Sequence, residues 1–443
     1  MFRFLGIFPN LAILSLCLAA GCGQVEFGNT NDAGDTGPDP DASIGNDSGN
    51  QSDSGTDSGT NSCTGLTCGF IPSNGIAAVL PNDTSSLGDT VVGANGSAYW
   101  EIDTDTGAIE GYDDLDRNGN QQIRAGLNAV SAGIFYALLP KTTSPNIGVF
   151  VSRSLTIPNG TFVFGKGNAA LAWITIEDDI TIEGWLSVRA DTFKTSRPGP
   201  GGAQGGQGGG AAGQGIGGGG GGTAGGGGGG GFGSVGGLAN DGAAGTAGGI
   251  IYGSAELSPL VAGSGGGSGP GSTGAVGGNG GGALQLFSFT AIELGLSGRI
   301  DAGGGGGATP DDCCNLGNGG GGGSGGAILL EAPTVLIAGL LGANGGGGGQ
   351  GGENSAQIPG TPGSPTVVPA PGSVTSSSNG GGGNGSDAQG VAGEGLAAFT
   401  SGGGGGGAGR VRINTASGAE SFGPGITPSV LSGLSTIGTL ATE

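Results

Sequence analysis

The sequence predicts an all-β protein, a parallel β-helix-like solenoid with long glycine-rich loops, preceded by a disordered tether. Glycine supplies 116 of the 443 residues, about a quarter of the chain against a usual level near 7%. Short apolar runs bounded by glycine runs recur in the same format at 277–307 and 319–349, and the format opens again at 402–414. Within these runs apolar and polar residues alternate, which is typical of strands that bury one face.

The alternation is clearest in two of the repeats. In 284–302 the even positions are mostly apolar, and in 327–343 the parity changes at Pro333, a residue that cannot donate to a ladder and therefore suits a corner. The residues predicted to face inward are Leu284, Leu286, Ile292, Leu294, Leu296, Ile300, Ala302, Ile328, Leu330, Val335, Ile337, Leu341 and Ala343. One unit cannot bury its apolar face alone, whereas stacked units can.

The glycine runs allow more than one interpretation. Because glycine loses the most conformational freedom on folding, a long run is either a mobile loop or backbone packed too closely for any Cβ. The patterned strands between the runs favour a mixture of the two. A collagen-like Gly-X-Y period is absent. The alternative folds are a β-sandwich followed by a glycine-rich extension, and stacked polyglycine-type helices.

The N-terminus has the layout of a secretory signal peptide over residues 1–21. Arg3 supplies a positive charge, an apolar segment follows, and small residues precede Cys22. The segment resembles the lipobox of bacterial lipoproteins, with Ala19 where leucine is more usual. That resemblance implies cleavage before Cys22 and acylation of its thiol and amine, which would anchor the protein in a membrane. The alternatives are an ordinary signal peptide with a chance cysteine and an N-terminal membrane helix.

The rest of the chain divides by composition into three parts. Residues 22–64 contain eight acidic residues and no Lys or Arg, which predicts a disordered tether spanning roughly 35 Å. Residues 65–167 form a β-rich lead-in with fewer glycines, and 168–443 form the glycine-rich solenoid. The pattern of the lead-in runs directly into the first glycine unit, so the boundary between these two parts is not firm.

The segment 171–191 has the most regular one-sided strand pattern. The residues predicted to share its inward face are Ile174, Ile176, Ile180, Ile182, Leu186 and Val188. Trp173 and Trp185 would then point outward together with Glu177 and Glu183. Either the lead-in strands cover the two indole rings, or the rings and carboxylates form a platform for sugars.

Four cysteines remain once the signal peptide and Cys22 are set aside. In an exported protein, Cys63, Cys68, Cys313 and Cys314 are more often disulfide-bonded than metal-bound. Three pairings are possible. A bridge between adjacent residues 313 and 314 would be strained, because consecutive Cα atoms are closer than disulfides prefer. A local Cys63–Cys68 bridge is favoured, and the fate of the other two cysteines stays open.

One short motif suggests a calcium site. Asp114, Asp116, Asn118 and Asn120, with Gly119 at the bend, match the first half of a calcium-binding loop. The position where such a loop places a bidentate glutamate holds Ala125 instead. The alternative interpretation is a polar turn without a metal.

Several functional classes are excluded or disfavoured. Because the chain contains no histidine, it cannot form a Ser-His-Asp triad or use a histidine base. The net charge of −22 with 12 Lys and Arg argues against nucleic-acid binding. The carboxylates Glu177, Asp178 and Asp179 could act as a glycosidase pair, but a solvated turn is the favoured interpretation. We therefore predict no catalytic residues.

The order of these features resembles the glycine-rich predicted surface lipoproteins of large-genome gliding bacteria. The resemblance rests on the lipobox, the acidic tether, the strand pattern ALAWITIEDDITIEGWL and the repeats GGGSGGAILLEAPTVLIAGLLGANGGGGG and GGGGGGAGRVRI. It implies a cell-surface or outer-membrane location and no assigned activity. The expected function is a structural or adhesive role on the cell surface, with polysaccharide or surface components as partners. The alternative is a carbohydrate-binding or carbohydrate-active β-helix protein.

Overall fold

The computed structural model describes the following parts of the chain: 69–190, 196–239, 246–271, 275–310, 317–352, 357–374, 380–387, 389–396, 400–418 and 425–442. The chain divides into two units, Met1–Asn61 and Ser62–Glu443, and the second contains every described residue. The predicted signal peptide and tether, and the cysteines Cys22, Cys63, Cys68, Cys313 and Cys314, lie outside these ranges. No helix in them has the length and apolarity needed to cross a bilayer.

Almost all regular structure in the described residues is β-strand. The strands are β1 (Asp89–Val91), β2 (Tyr99–Asp103), β3 (Ile109–Tyr112), β4 (Gln121–Arg124), β5 (Val130–Ser131), β6 (Ile134–Leu139), β7 (Ile147–Ser152), β8 (Ser154–Ile157), β9 (Phe162–Lys166), β10 (Ala170–Thr175), β11 (Ile180–Ile182), β12 (Trp185–Ser187), β13 (Ala283–Ser288), β14 (Ala291–Leu294), β15 (Arg299–Asp301), β16 (Ala327–Glu331), β17 (Thr334–Ile337), β18 (Leu340–Gly342), β19 (Arg410–Thr415), β20 (Ile426–Thr427) and β21 (Ser435–Thr439). Two short 3-10 helices span Ser73–Val79 and Val430–Ser432.

The strands form three sheets. Sheet I has the order β21-β19-β16-β13-β10-β7-β6-β5, sheet II β1-β8-β11-β14-β17, and sheet III β20-β18-β15-β12-β9-β2-β3-β4. Consecutive strands from β7 to β18 enter sheets I, II and III in rotation, and each strand from β7 to β16 pairs in parallel with the strand three places later. The lead-in and the glycine-rich part therefore share the same sheets. The protein is all-β with largely parallel strands.

The main apolar core is formed by the side chains that the three sheets direct toward one another. Strands of all three sheets contribute, as in Leu286 of β13, Ile292 of β14 and Ile300 of β15. The inward positions predicted from the alternation in 284–302 and 327–343 are confirmed, with two departures. Leu296 lies in the turn between β14 and β15 and is 86% exposed, and Ile337 is only partly buried.

Sheet I is buried on both faces, and this corrects the prediction for 171–191. Its outer face carries a second apolar cluster that includes Val149, Ile174 and Leu329, covered by residues such as Ile76 and Leu260. Ile174 and Ile176 therefore face away from Ile180, Ile182, Leu186 and Val188, which lie in the main core. A strand with two apolar faces reads as a nearly continuous apolar run, so its alternation does not indicate which face is inward.

Trp173 is consequently an interior residue, contrary to the prediction that it points outward. Its side chain is 3% exposed and belongs to the main core. Its ring stacks on Phe150 with centroids 5.4 Å apart, and its Nε1–H donates to Ser152 Oγ at 2.9 Å. Of the two tryptophans in this segment, Trp185 alone reaches the outer surface of a sheet.

A buried carboxylate fastens the first 3-10 helix to the outer face of sheet I. Glu331 accepts hydrogen bonds from the backbone N–H (3.1 Å) and hydroxyl (2.6 Å) of Ser73, from Gln285 Nε2 (2.7 Å) and from Asn414 Nδ2 (2.9 Å). Four donors compensate the loss of hydration that burial imposes on the charge. The network joins the N-terminal segment to three adjacent strands of sheet I.

The long glycine segments all leave the sheets at the same connection, the one from sheet III back to sheet I. They separate β12 from β13, β15 from β16 and β18 from β19, whereas the equivalent connection between β9 and β10 has only residues 167–169. Most of the described glycine residues are buried. The segments pack side by side, and we call their assembly the glycine bundle (described residues within 199–282, 303–326 and 343–409).

Backbone hydrogen bonds in the glycine bundle repeat every third residue. The N–H groups of Gly319, Gly322 and Gly325 donate to the carbonyls of 401, 404 and 407. Those of 320, 323 and 326 donate to a second segment, at 308, 305 and 302. Those of 321 and 324 donate to a third segment, at 267 and 264. The carbonyls of 319–324 accept from 227 and 230, from 278 and 281, and from 346 and 349. One segment thus bonds to six neighbours, with the three-residue period of a polyproline II helix, which has no internal hydrogen bonds.

This packing explains why the segments are glycine. A Cβ on Gly322 would lie 2.1 Å from the carbonyl oxygen of Gly346, and one on Gly406 would lie 1.9 Å from that of Gly323. Both distances are far below van der Waals contact, so a side chain would force the segments apart. The described glycine runs are therefore closely packed backbone. Of the alternatives that the sequence leaves open, stacked polyglycine-type helices describe these runs better than mobile loops.

Candidate functional site

The outer face of sheet III carries a row of large side chains aligned across neighbouring strands. Strand register places them opposite one another in the order Tyr112, Tyr99, Phe162, Trp185, Arg299 and Leu340. Tyr99 and Phe162 stack face to face with centroids 4.9 Å apart, and Phe162 lies 5.8 Å from Trp185. Aromatic pairs at these separations contribute about 0.5–1.5 kcal/mol beyond the burial of their area. We call this set the outer row.

Two guanidinium groups lie close to the ring of Trp185. The guanidinium of Arg189 lies 5.2 Å from the centre of the indole ring, and that of Arg299 lies 5.8 Å from it. Both distances fall within the range of a cation–π attraction. Arg299 is an exposed residue.

An open groove of about 430 Å³ runs beside Trp185, where sheet II turns into sheet III. This volume falls within the range of small-molecule sites, which combine an apolar lining with a few polar groups. The apolar lining is Phe162, Trp185, Leu296 and Leu340, and the polar lining is Asn159, Thr161, Glu183, Ser297 and Arg299. We call this cavity the Trp185 groove.

The Glu183 carboxylate lines the groove and is held by the neighbouring turn. Ser297 Oγ lies 2.7 Å from Glu183 Oε2 and 2.8 Å from the Glu183 carbonyl, and its hydroxyl donates to one of these oxygens at a time. A Cβ on Gly295 would lie 2.0 Å from the Glu183 carboxylate, so a glycine there leaves room for this side chain. The groove therefore offers acceptor oxygens at Glu183 and donor groups at Arg299.

Further along the same face, one buried carboxylate gathers three cations. Glu101 lies 2.5 Å from Arg117, 2.6 Å from Lys166 and 2.8 Å from Arg197. Burial alone would raise the pKa of Glu101, but the hydrogen bonds and charges of Lys166 and Arg197 outweigh it and lower the pKa below its ordinary value. The adjoining cavity is only about 60 Å³, below the size of a ligand site. This cluster is a structural element of the face.

Asp301, two residues after Arg299 on β15, is closed off from solvent. It is fully buried, accepts a hydrogen bond from the N–H of Gly303 at 2.9 Å, and lies 3.7 Å from Arg189. Burial raises its pKa to about 6 despite the opposing charge of Arg189.

A bundle segment closes this part of the face. Pro365 Cα would lie 2.3 Å from a Cβ on Gly342, the residue paired with Asp301. Asn344 Nδ2 holds the covering segment by donating to the carbonyls of Ser364 (2.8 Å) and Thr366 (2.7 Å). The part of the face around Trp185 stays open, and the part around Asp301 does not.

The predicted calcium loop lies between β3 and β4 and forms a turn. The Asp114 carboxylate accepts hydrogen bonds from the backbone N–H (3.2 Å) and the side-chain amide (2.8 Å) of Asn118, and Gly119 has a φ of +70°. Across the ranges that the structure covers, no group of three or more His, Cys, Asp or Glu residues could hold a metal ion. Calcium binding by Asp114, Asp116, Asn118 and Asn120 stays a prediction, which chelation during a melting experiment would test.

The other predicted site residues do not join the groove. Glu177 and Asp178 are exposed between β10 and β11, in the turn predicted for them. Trp185 and Glu183 do lie together, as the pattern of 171–191 predicts for its outward face. The outer row also needs Tyr99, Phe162 and Arg299, which sequence reasoning missed because register, rather than spacing, places them beside Trp185.

Comparison with known proteins finds no match for this chain among protein-family models, curated proteins or solved structures.

Proposed function

We propose that this protein is a lipid-anchored cell-surface protein that binds polysaccharide in the Trp185 groove, as an adhesive rather than a catalytic element. The observation that carries the proposal is an open, sugar-sized groove whose lining includes Phe162 and Trp185. Aromatic rings present flat apolar surface to the C–H groups of sugars, and polar groups on either side can bond hydroxyls. Glu183 supplies acceptor oxygens there and Arg299 supplies donors.

We also propose that the body of the protein is a parallel β-helix solenoid, and the arrangement of the strands supports this. In a parallel β-helix, successive strands enter three sheets in rotation, and each strand pairs in parallel with the third strand after it. The strands of this protein follow that arrangement. Sheet III would then be one continuous face of that helix. Adjacent strands lie about 4.8 Å apart, so the outer row from Tyr112 to Leu340 extends over roughly 24 Å, which suits an extended polymer.

The location belongs to the same proposal and rests on the N-terminal sequence. Export and acylation of Cys22 would tether the body to the outer membrane through the acidic segment that follows. Replacing Cys22 with Ser should move the protein from the membrane fraction to the soluble fraction, or block processing. Unchanged partitioning into detergent would contradict the anchor without affecting the groove.

A glycan array with the full-length protein in detergent tests the binding function. We expect Trp185→Ala to lower binding at least tenfold, because the substitution removes the indole ring from the groove lining. Leu336→Ala, which removes a half-exposed apolar side chain from sheet II, is the matched control and should bind as the wild type does. Absence of binding to any glycan, or equal binding by both variants, would contradict the proposal. Release of shortened sugars would contradict the non-catalytic assignment.

A further inference from the structure

The cations on the outer face of sheet III differ in whether they are paired with a carboxylate. Lys166, Arg117 and Arg197 surround Glu101, and Arg189 lies against Asp301. Arg299 forms no salt bridge with any residue that the structure describes, and it is exposed at the edge of the Trp185 groove. The groove therefore presents one guanidinium whose charge no described carboxylate neutralises at contact distance.

The neighbours of Arg299 keep it available for a ligand. Its guanidinium lies over the Trp185 ring, an arrangement that orients the planar group without using its N–H donors. Asp301, two residues further along β15, is fully buried and already accepts from Gly303. Glu183, which also lines the groove, has its carboxylate engaged by Ser297. A planar carboxylate from outside the protein fits the two parallel donors of a guanidinium.

Resting on the function proposed above, we propose that the Trp185 groove selects an acidic sugar, with Arg299 binding the carboxylate of a uronic acid unit. That unit would lie in the groove beside Trp185 and Phe162, and its hydroxyls would reach Glu183 and Ser297. The net charge of −22 does not prevent this, because exposed charges more than about 8 Å away are largely screened at physiological ionic strength.

The test compares oligogalacturonate with its methyl ester, which has the same sugar backbone without the charge. We expect the full-length protein in detergent to bind the acid at least tenfold more tightly than the ester by titration calorimetry. Arg299→Gln should remove that preference by lowering the affinity for the acid about tenfold more than it lowers the affinity for the ester. Arg153→Gln, which removes an equal charge from a partly exposed arginine paired with Asp89 outside the groove, is the control and should keep the preference.

The possible outcomes separate this inference from the function on which it rests. Equal binding of acid and ester by the wild type, or an equal effect of Arg299→Gln on both, overturns the role of Arg299 and leaves glycan binding intact. If the protein prefers dextran sulfate to dextran but does not prefer oligogalacturonate to its methyl ester, the groove binds sulfate and the carboxylate assignment is overturned. If neither sugar binds and the array is also negative, the proposed function itself fails. A melting curve for each variant confirms that it is folded.

Discussion

The three sheets and the glycine bundle achieve close packing by opposite means. In the sheets, side chains such as Leu286 and Ile300 fill the interior, and each strand forms backbone hydrogen bonds only with the strands beside it in the same sheet. In the bundle, segment 319–326 has no apolar side chain to bury, and its backbone bonds to six neighbouring segments. Sheet III buries one face in the core and leaves the other open around Trp185, whereas the bundle uses its backbone for packing.

The difference determines which substitutions each region tolerates. A sheet position that faces solvent can vary in size, but a Cβ on most bundle glycines would overlap the backbone of a neighbouring segment. The longer side chains in the bundle serve the backbone, as when Asn279 Oδ1 accepts from the N–H of Gly205 at 2.9 Å and Asn318 Oδ1 accepts from that of Ser401 at 2.7 Å. Binding chemistry is therefore expected on the sheets, and mechanical support from the bundle.

The largest expected effect comes from the core of the sheets. Leu286→Ala should lower the free energy of unfolding by about 3–5 kcal/mol, because it removes a fully buried side chain and leaves a cavity. Denaturant titration measures the change. Leu336→Ala, at a position 50% exposed, should cost less than about 1 kcal/mol, and equal costs for both would contradict the assignment of the core.

The next effect comes from the bundle and has the opposite cause. Gly322→Ala adds one methyl group, yet should destabilise by about 3 kcal/mol, because that group would overlap a backbone carbonyl. Gly88→Ala is the control, since its Cβ would lie 3.5 Å from the nearest atom. If the bundle is part of the same cooperative unit, Gly322→Ala should shift the same melting transition as Leu286→Ala. A loss no larger than that of the control would mean that the bundle is loosely packed.

The third effect depends on pH and is expected where the two regions meet, at Asp301. Because burial raises the pKa of Asp301 to about 6, the folded protein binds more protons than the unfolded chain between about pH 4 and 6. The contribution of Asp301 to stability is therefore greatest below pH 4 and declines as the pH rises to 6. Asp301→Asn should be more stable than the wild type by up to about 3 kcal/mol at pH 7, with the difference vanishing near pH 4.

Thermal melts of both proteins across this pH range measure that difference. Two results would contradict the account of Asp301. One is a difference that does not change with pH, and the other is a variant less stable than the wild type at pH 7.

The sequence predicts the sheets far better than the site. Alternation at Ile292 and Leu294 identifies inward positions because β14 buries only one face. At Leu284 and Leu286 it succeeds because the polar Gln285 between them marks the opposite parity. It fails at Trp173 because sheet I is covered on both sides, and coverage depends on residues such as Ile76 and Leu260, which are distant in sequence.

The groove could be predicted only in part. Trp185 and Glu183 are close in sequence, but Arg299 reaches them through the pairing of β12 with β15, across a glycine insertion whose length carries no register information. The glycine runs themselves show that no Cβ is tolerated, yet composition alone does not separate a packed bundle from a mobile loop.

Amide hydrogen exchange followed by mass spectrometry tests the central claim most directly, because it reads backbone hydrogen bonding without relying on side chains. If the glycine bundle is packed as described, peptides covering 319–326 should be protected about as strongly as peptides covering the core strand 283–288. Both should exchange far more slowly than the same peptides in denaturant. Exchange of 319–326 at the denatured rate, while 283–288 stays protected, would contradict the claim that the bundle is a hydrogen-bonded scaffold.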